Sequence, residues 1–168
     1  MEDILVLSDD GKILEGVKDK TVVVITIPEG INTIGRDAFK GCTSLTSIDI
    51  PNSVTSIATL SFARCTGLTF IHIPKSVTTI GEGAFEGCTG LTSIKVENDN
   101  PKFDSRNNCN AIVETATNEL LAGCQETFIP KSVTSIGTEA FYGCTGLTSI
   151  DIPNSVTSIG HGAFENCI

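Results

Sequence analysis

The sequence has few basic residues, no long apolar run and only two histidines. Eleven Lys and Arg stand among twenty Asp and Glu, giving a net charge of −9, so nucleic-acid binding through phosphate neutralisation is not expected. The longest aliphatic run, residues 22–27, is interrupted by Thr26 and falls far short of the roughly 20 residues of a membrane-spanning helix. Acids stand near the N-terminus where a signal peptide needs bases. The chain as given is expected to have no membrane span and no export signal.

Motifs for catalysis and metal binding are also missing. The seven cysteines form no CxxC pair, and zinc needs ligands that converge on one point. His72 and His161 have no Ser or Cys partner in an identifiable motif. The glycines match neither a P-loop nor a dinucleotide-binding fingerprint. We therefore expect no enzyme, no cofactor and no metal site.

What the sequence does contain is a repeat of 23 residues. The row that starts at Leu45 reads LTSIDIPNSVTSIATLSFARCTG, and the row that starts at Leu68 reads LTFIHIPKSVTTIGEGAFEGCTG. Three residue types recur in fixed slots: Pro28, Pro51, Pro74, Pro130 and Pro153; Phe39, Phe62, Phe85, Phe141 and Phe164; Cys42, Cys65, Cys88, Cys144 and Cys167. A fixed period of this size indicates the stacked coils of a solenoid.

Each repeat predicts a strand, a second short strand and one tight helical turn. Ile48 and Ile50 alternate with polar residues, as in a strand with one inward face, and Pro51 ends that strand because it cannot donate to a ladder. We expect positive φ at the glycine after the short strand, namely at Gly35, Gly81, Gly137 and Gly160. In the second repeat Ala58 replaces this glycine and Ser61 replaces an alanine, which predicts slight strain there. The predicted fold class is a repeat solenoid, mostly β with short helical turns, of about six stacked coils with hairpin insertions.

The sequence predicts a cap at the N-terminal end of the solenoid and an open coil at its C-terminal end. Residues 1–21 contain two apolar segments around Asp10-Gly11, which predicts an N-terminal capping hairpin, and residues 22–168 form the solenoid. The chain stops where the repeat would continue, so we expect a fragment of a longer array. Its open end predicts end-to-end self-association.

One repeat is longer than the others, at about residues 91–123. After a polar loop, two strand-like segments flank Ala116-Thr117 and predict a hairpin. Folded symmetrically, this hairpin places Cys109 opposite Cys124 and Ile112 opposite Leu121. Opposite strand residues lie within disulfide range, so the sequence predicts a candidate disulfide there; a pair of reduced buried cysteines is the alternative.

The pattern LxxIxIPxSVTxIGxxAFxxC resembles the BspA-like family of leucine-rich repeats, over residues 22–168. This family is known from bacterial surface proteins and some protozoan parasites, and it also interrupts short repeats with a longer one that bears a hairpin. The resemblance implies a secreted or cell-surface binding module, often an adhesin, that binds a protein (such as an extracellular host protein) or a glycan.

The resemblance also points to the outward positions of the main strands as the ligand-binding surface. These candidate residues are Ser47, Asp49, Phe70, His72, Ser93, Lys95, Ser149 and Asp151. Phe70 replaces a small polar residue and, with His72 beside it, is a candidate anchor; an isolated apolar surface residue is the alternative. Two functions stay open at this point. One is adhesin-like recognition at a bacterial cell surface, and the other is an intracellular scaffold or assembly element, for which a cytoplasmic location would fit the missing export signal.

Overall fold

The structure is a computed structural model that describes residues 4–167. All its strands are short. They are β1 (Leu5–Leu7), β2 (Ile13–Val17), β3 (Val24–Thr26), β4 (Thr33–Ile34), β5 (Ser47–Asp49), β6 (Ser56–Ile57), β7 (Phe70–Ile73), β8 (Thr79–Ile80), β9 (Ser93–Val96), β10 (Phe103–Asp104), β11 (Ile112–Glu114), β12 (Glu119–Ala122), β13 (Ser135–Ile136) and β14 (Ser158–Ile159). The described residues contain no α-helix and one turn of 3-10 helix, Arg106–Asn108. Residues 1–3 of the predicted cap, and residue 168, lie outside the described residues.

The strands stack into a β-solenoid of about six turns, which confirms the predicted fold class. The short strands β2, β4, β6 and β8 form one continuous parallel sheet. Within it Ile34 lies opposite Ile57, one repeat later. The main strands pair in parallel as β3 with β5 and β7 with β9. Each slot of the repeat therefore lies over the same slot of the next coil.

An antiparallel hairpin covers the first coil. β1 pairs with β2, and β2 pairs in parallel with β4. The connecting turn is held by Asp10, whose Oδ1 accepts hydrogen bonds from the Ser8 hydroxyl at 2.7 Å and the Lys12 N–H at 3.0 Å. Leu14 is fully buried, so the hairpin shields the apolar end of the first coil.

Identical side chains stack in columns inside the solenoid. The rings of Phe39, Phe62 and Phe85 lie nearly parallel, with centroids 5.2 and 5.4 Å apart. Phe141 and Phe164 form a second stack at 5.0 Å. The long repeat separates the two stacks because it contributes no phenylalanine to this column.

The predicted helical turns are wrong in detail: each is a series of tight turns that bond along the solenoid axis. In the first coil, Ala38 N–H donates to the Gly35 carbonyl three residues earlier, whereas Phe39 N–H donates to Ser61 of the next coil at 2.7 Å. Two residues of each turn, four positions apart, have positive φ. They are Asp37 and Gly41, Leu60 and Arg64, Gly83 and Gly87, Glu139 and Gly143, and Gly162 and Asn166.

Glycine after the short strand serves close packing, and the prediction of positive φ there is wrong. Gly35, Gly81, Gly137 and Gly160 are absent from the residues with positive φ. A Cβ on Gly81 would overlap the backbone of Thr59 in the preceding coil. The glycine is needed because two coils approach too closely for a side chain.

The second coil does carry strain, but at other residues than the predicted Ala58 and Ser61. Ser61 is fully buried, and its hydroxyl donates to the Ala58 carbonyl at 2.7 Å, so no polar group is left unpaired. Leu60 and Arg64 instead hold φ of 59°, a left-handed conformation that costs an L residue about 1–2 kcal/mol.

The long repeat contains the predicted hairpin, in a different register. β11 pairs antiparallel with β12, but a bulge between Ile112 and Val113 places Ile112 opposite Ala122 rather than Leu121. Cys109 and Cys124 are both buried free thiols, the reduced pair that the sequence left open beside a disulfide. They belong to two separate clusters of core residues.

Candidate functional site

The strand face is the surface made by the outward side chains of the main strands. On β7, Ile71 and Ile73 are fully buried, so the alternation of the strand turns Phe70 and His72 outward. Phe70 is 44% exposed and His72 is half-buried. Pro74 follows directly and ends the strand.

The structure places six of the eight predicted residues on three main strands: β5, which pairs with β3 and contacts β7, and the pair of β7 and β9. Ser47 and Asp49 are exposed on β5. The register of β7 with β9 sets Phe70 opposite Ser93 and His72 opposite Lys95. This part of the strand face thus joins an aromatic ring, an imidazole and an ammonium group within two strands.

Ser149 and Asp151 lie apart from these six. Both are exposed, but residues 147–153 form no strand, so the prediction that they stand on a main strand is wrong. The long repeat causes the separation. Asn110 accepts from the Ser93 hydroxyl at 3.4 Å and donates to the Glu126 carbonyl at 3.2 Å, so the insertion lies between β9 and the segment that would pair with it.

Sequence reasoning missed two exposed apolar residues in slots equivalent to those of the strand face, one on a main strand and one in a segment that forms no strand. Val24 on β3 is 58% exposed and lies opposite Ser47. Phe128 is 48% exposed and stands two residues before Pro130, just as Asp49 stands two before Pro51. Counting back from each repeat proline would have found Phe128, even though its row lacks the usual LTSI start.

The cysteines of the repeat form an internal column of thiols that donate hydrogen bonds to backbone carbonyls. Cys65 Sγ donates to the Phe39 carbonyl at 3.1 Å, and Cys88 Sγ to the Phe62 carbonyl at 3.1 Å. Burial raises the pKa of Cys65 and of Cys144 to about 12, so these thiols stay protonated at neutral pH. Within residues 4–167 no group of three or more His, Cys, Asp or Glu side chains is placed to hold a metal ion.

Comparison with known proteins identifies the fold family. The sequence matches six copies of the BspA type leucine rich repeat region, over residues 18–119 and 117–168. The chain belongs to the BspA-type leucine-rich repeat family. None of the curated proteins is significantly similar to it.

Solved structures of bacterial leucine-rich repeat proteins are similar to this chain. A leucine rich cell surface protein of Faecalibacterium prausnitzii is 36% identical over 87% of this chain and 39% of its own, with a TM-score of 0.75. The pneumococcal vaccine antigen PcpA is 23% identical over 88% of this chain and 38% of its own, also at 0.75, which shows the shared fold. The chain thus spans about two fifths of the length of either protein. Within the described residues, no helix is long and apolar enough to cross a membrane.

Proposed function

We propose that this BspA-type repeat is a non-catalytic module that binds a protein partner through its strand face at a bacterial cell surface. Leucine-rich repeat families are typically binding modules without catalysis. The similar protein of F. prausnitzii is described as a cell surface protein, which supports the location. A glycan is the alternative ligand of the same face.

The observation that carries this proposal is the set of exposed apolar side chains on the strand face. Val24, Phe70 and Phe128 are each more than two fifths exposed, although the isoleucine that follows each of them is buried. Aromatic side chains surrounded by polar groups are the usual anchors of protein interfaces. Asp49, His72 and Lys95 supply those polar groups here, and none of the ion pairs within residues 4–167 involves them.

Substitution of the anchors tests the proposal. Binding of the wild-type chain to a panel of purified extracellular proteins and to a glycan array defines the partner. The variant F70S/H72S should then bind that partner at least about tenfold more weakly, since loss of one interface anchor costs on the order of 2 kcal/mol. Unfolding in urea should change little, because neither side chain is in the core.

A matched control uses an exposed apolar residue away from the strand face. Leu7 on the cap is 39% exposed, so Leu7→Ser removes similar apolar surface without touching the strand face. Equal binding by wild type and F70S/H72S, or equal weakening by Leu7→Ser, would show that the ligand sits elsewhere.

The alternative, an intracellular scaffold or assembly element, is supported by the cysteines. All seven are free thiols, and reduced cysteines are typical of intracellular proteins. Protease treatment of intact source cells separates the two functions: digestion of the protein on intact cells supports the surface module, and protection until lysis supports the assembly element.

A further inference from the structure

A cleft interrupts the turn side of the solenoid because the long repeat omits its turn. The chain takes eleven residues to pass from Ile57 to Leu68, but only four to pass from Leu120 to Cys124. The omitted segment is the turn that carries phenylalanine in the other coils. It leaves a cleft of about 240 Å³ between residues 80–86 on one side and residues 119–122 and 137–140 on the other.

Unpaired backbone groups line this cleft. In the preceding coil, Leu60 N–H and Phe62 N–H donate along the axis to the next turn, at 3.2 and 2.8 Å. The equivalent N–H groups of Gly83 and Phe85 have no hydrogen-bond partner among the described residues, and neither has the carbonyl of Thr138 opposite them. The ladder resumes at Gly87, whose N–H donates to the Tyr142 carbonyl at 3.0 Å, so the break in the ladder is confined to the part of the turn that lines the cleft.

The rim of the cleft is acidic and its floor is apolar. Four carboxylates line it: Glu82, Glu86, Glu119 and Glu139. No Lys or Arg is among the lining residues. Burial, together with the Glu86 and Glu82 carboxylates, raises the pKa of Glu139, as expected where like charges gather without a cation. The floor includes Phe85 and Leu121.

We propose that this cleft binds a short extended segment of a partner protein that carries a lysine or an arginine. The carbonyls of the segment accept hydrogen bonds from Gly83 and Phe85, and one of its N–H groups donates to the Thr138 carbonyl. The aliphatic stem of the basic side chain covers the apolar floor while its charged end reaches the glutamates.

The combination of groups argues for this occupant over simpler ones. A metal cation would meet the carboxylates but leave both backbone donors unpaired. An anion would pair with the donors but face four negative charges. A basic peptide provides carbonyl acceptors for the backbone donors and a cation for the carboxylates. The cleft lies on the turn side, so the inference is independent of the strand face and its partner.

The test uses the full chain, labelled with ¹⁵N, and three blocked tripeptides: Ala-Lys-Ala, Ala-norleucine-Ala and Ala-Glu-Ala. Ala-Lys-Ala should shift the amide resonances of Gly83 and Phe85 in a saturable way, with a Kd on the order of 1 mM. Ala-norleucine-Ala should bind more weakly, and Ala-Glu-Ala should not bind. Butylammonium, which has the charge without the peptide, should also bind more weakly than Ala-Lys-Ala.

Variants of the cleft glutamates test whether their charge contributes to the binding of Ala-Lys-Ala. Glu86→Gln with Glu139→Gln should weaken Ala-Lys-Ala at least about tenfold, because a hydrogen bond to a charged group is lost, and should fold well because like charges are removed. Glu126→Gln, an exposed glutamate outside the cleft lining, is the control and should bind as wild type does. The proposal is overturned if Gly83 and Phe85 do not respond, if the double variant binds equally well, or if butylammonium or Ala-Glu-Ala binds as tightly as Ala-Lys-Ala.

Discussion

Arg64 offers a direct measurement of the strain in the second coil. It holds φ of 59°, in the slot where Gly41, Gly87 and Gly143 hold 66–75°. Its side chain is exposed, and its N–H donates to the Glu86 carbonyl at 2.7 Å. Glycine at this position keeps that backbone bond and removes the Cβ that disfavours the left-handed conformation.

The expected difference in the free energy of unfolding between the glycine and the alanine variant follows from two opposing contributions. A left-handed L residue costs about 1–2 kcal/mol, whereas glycine costs about 0.5–1 kcal/mol more than alanine in conformational entropy. Arg64→Gly should therefore be more stable than Arg64→Ala by roughly 0.75 kcal/mol, the middle of a range of about 0–1.5 kcal/mol. The alanine variant is the proper reference because it also removes the guanidinium group and the side-chain stem but keeps the Cβ.

Urea unfolding followed by far-UV circular dichroism measures the difference between the two variants. The converse substitution, Gly87→Ala, places a Cβ where φ is 66° and 3.3 Å from Arg64 Cγ, so it should lower the free energy of unfolding. If Arg64→Gly is no more stable than Arg64→Ala while Gly87→Ala is harmless, the turns do not hold this slot in the left-handed conformation.

Three further predictions concern the core, the thiols and the contact between coils. Phe62→Ala should cost about 3–5 kcal/mol of unfolding free energy, because its ring is fully buried between two others, while Phe70→Ala, on the surface, should cost much less in the same urea titration. The pKa of Cys65 rises from 9.0 to about 12 on folding, so this thiol loses its proton at a lower pH in the unfolded chain than in the folded one. The free energy of unfolding should therefore fall as pH rises from about 9 to 12, and it should fall less in Cys65→Ala. Gly81→Ala should lower the thermal unfolding midpoint sharply, whereas Gly16→Ala, whose Cβ would lie 3.6 Å from its nearest neighbour, should change it little.

The 23-residue period was sufficient to predict those parts of the fold in which one residue type recurs in the same slot of each coil. The columns of proline, phenylalanine and cysteine fix which residues face inward, so the ring stack of Phe39 and Phe62 follows directly from their spacing of 23 residues. The outward position of Phe70 follows in the same way from alternation along the strand. The separation of Ser149 from Ser93 could not be predicted, because it depends on how the insertion around Asn110 bonds to both neighbouring segments.

The turns show where the pattern of side chains stops predicting conformation. Asp37, Leu60, Gly83 and Glu139 share one slot and one left-handed conformation, although they have nothing in common chemically. What they share is the place of their backbone N–H in the hydrogen-bond ladder between turns. In Asp37, Leu60 and Glu139 this N–H donates to a carbonyl of the next coil. Gly83 and Gly162 hold the same conformation, with φ of 62° and 61°, without that bond, so the turn itself sets φ and the bond to the next coil follows from it. Gly83 lacks this bond because the long repeat has no turn to receive it. The same omission makes the turn of Glu139 and Gly143 the next neighbour, joined to this turn where Gly87 N–H donates to the Tyr142 carbonyl at 3.0 Å. Between that bond and Gly83 the two turns separate, which opens the cleft and leaves the groups through which a ligand would complete the ladder.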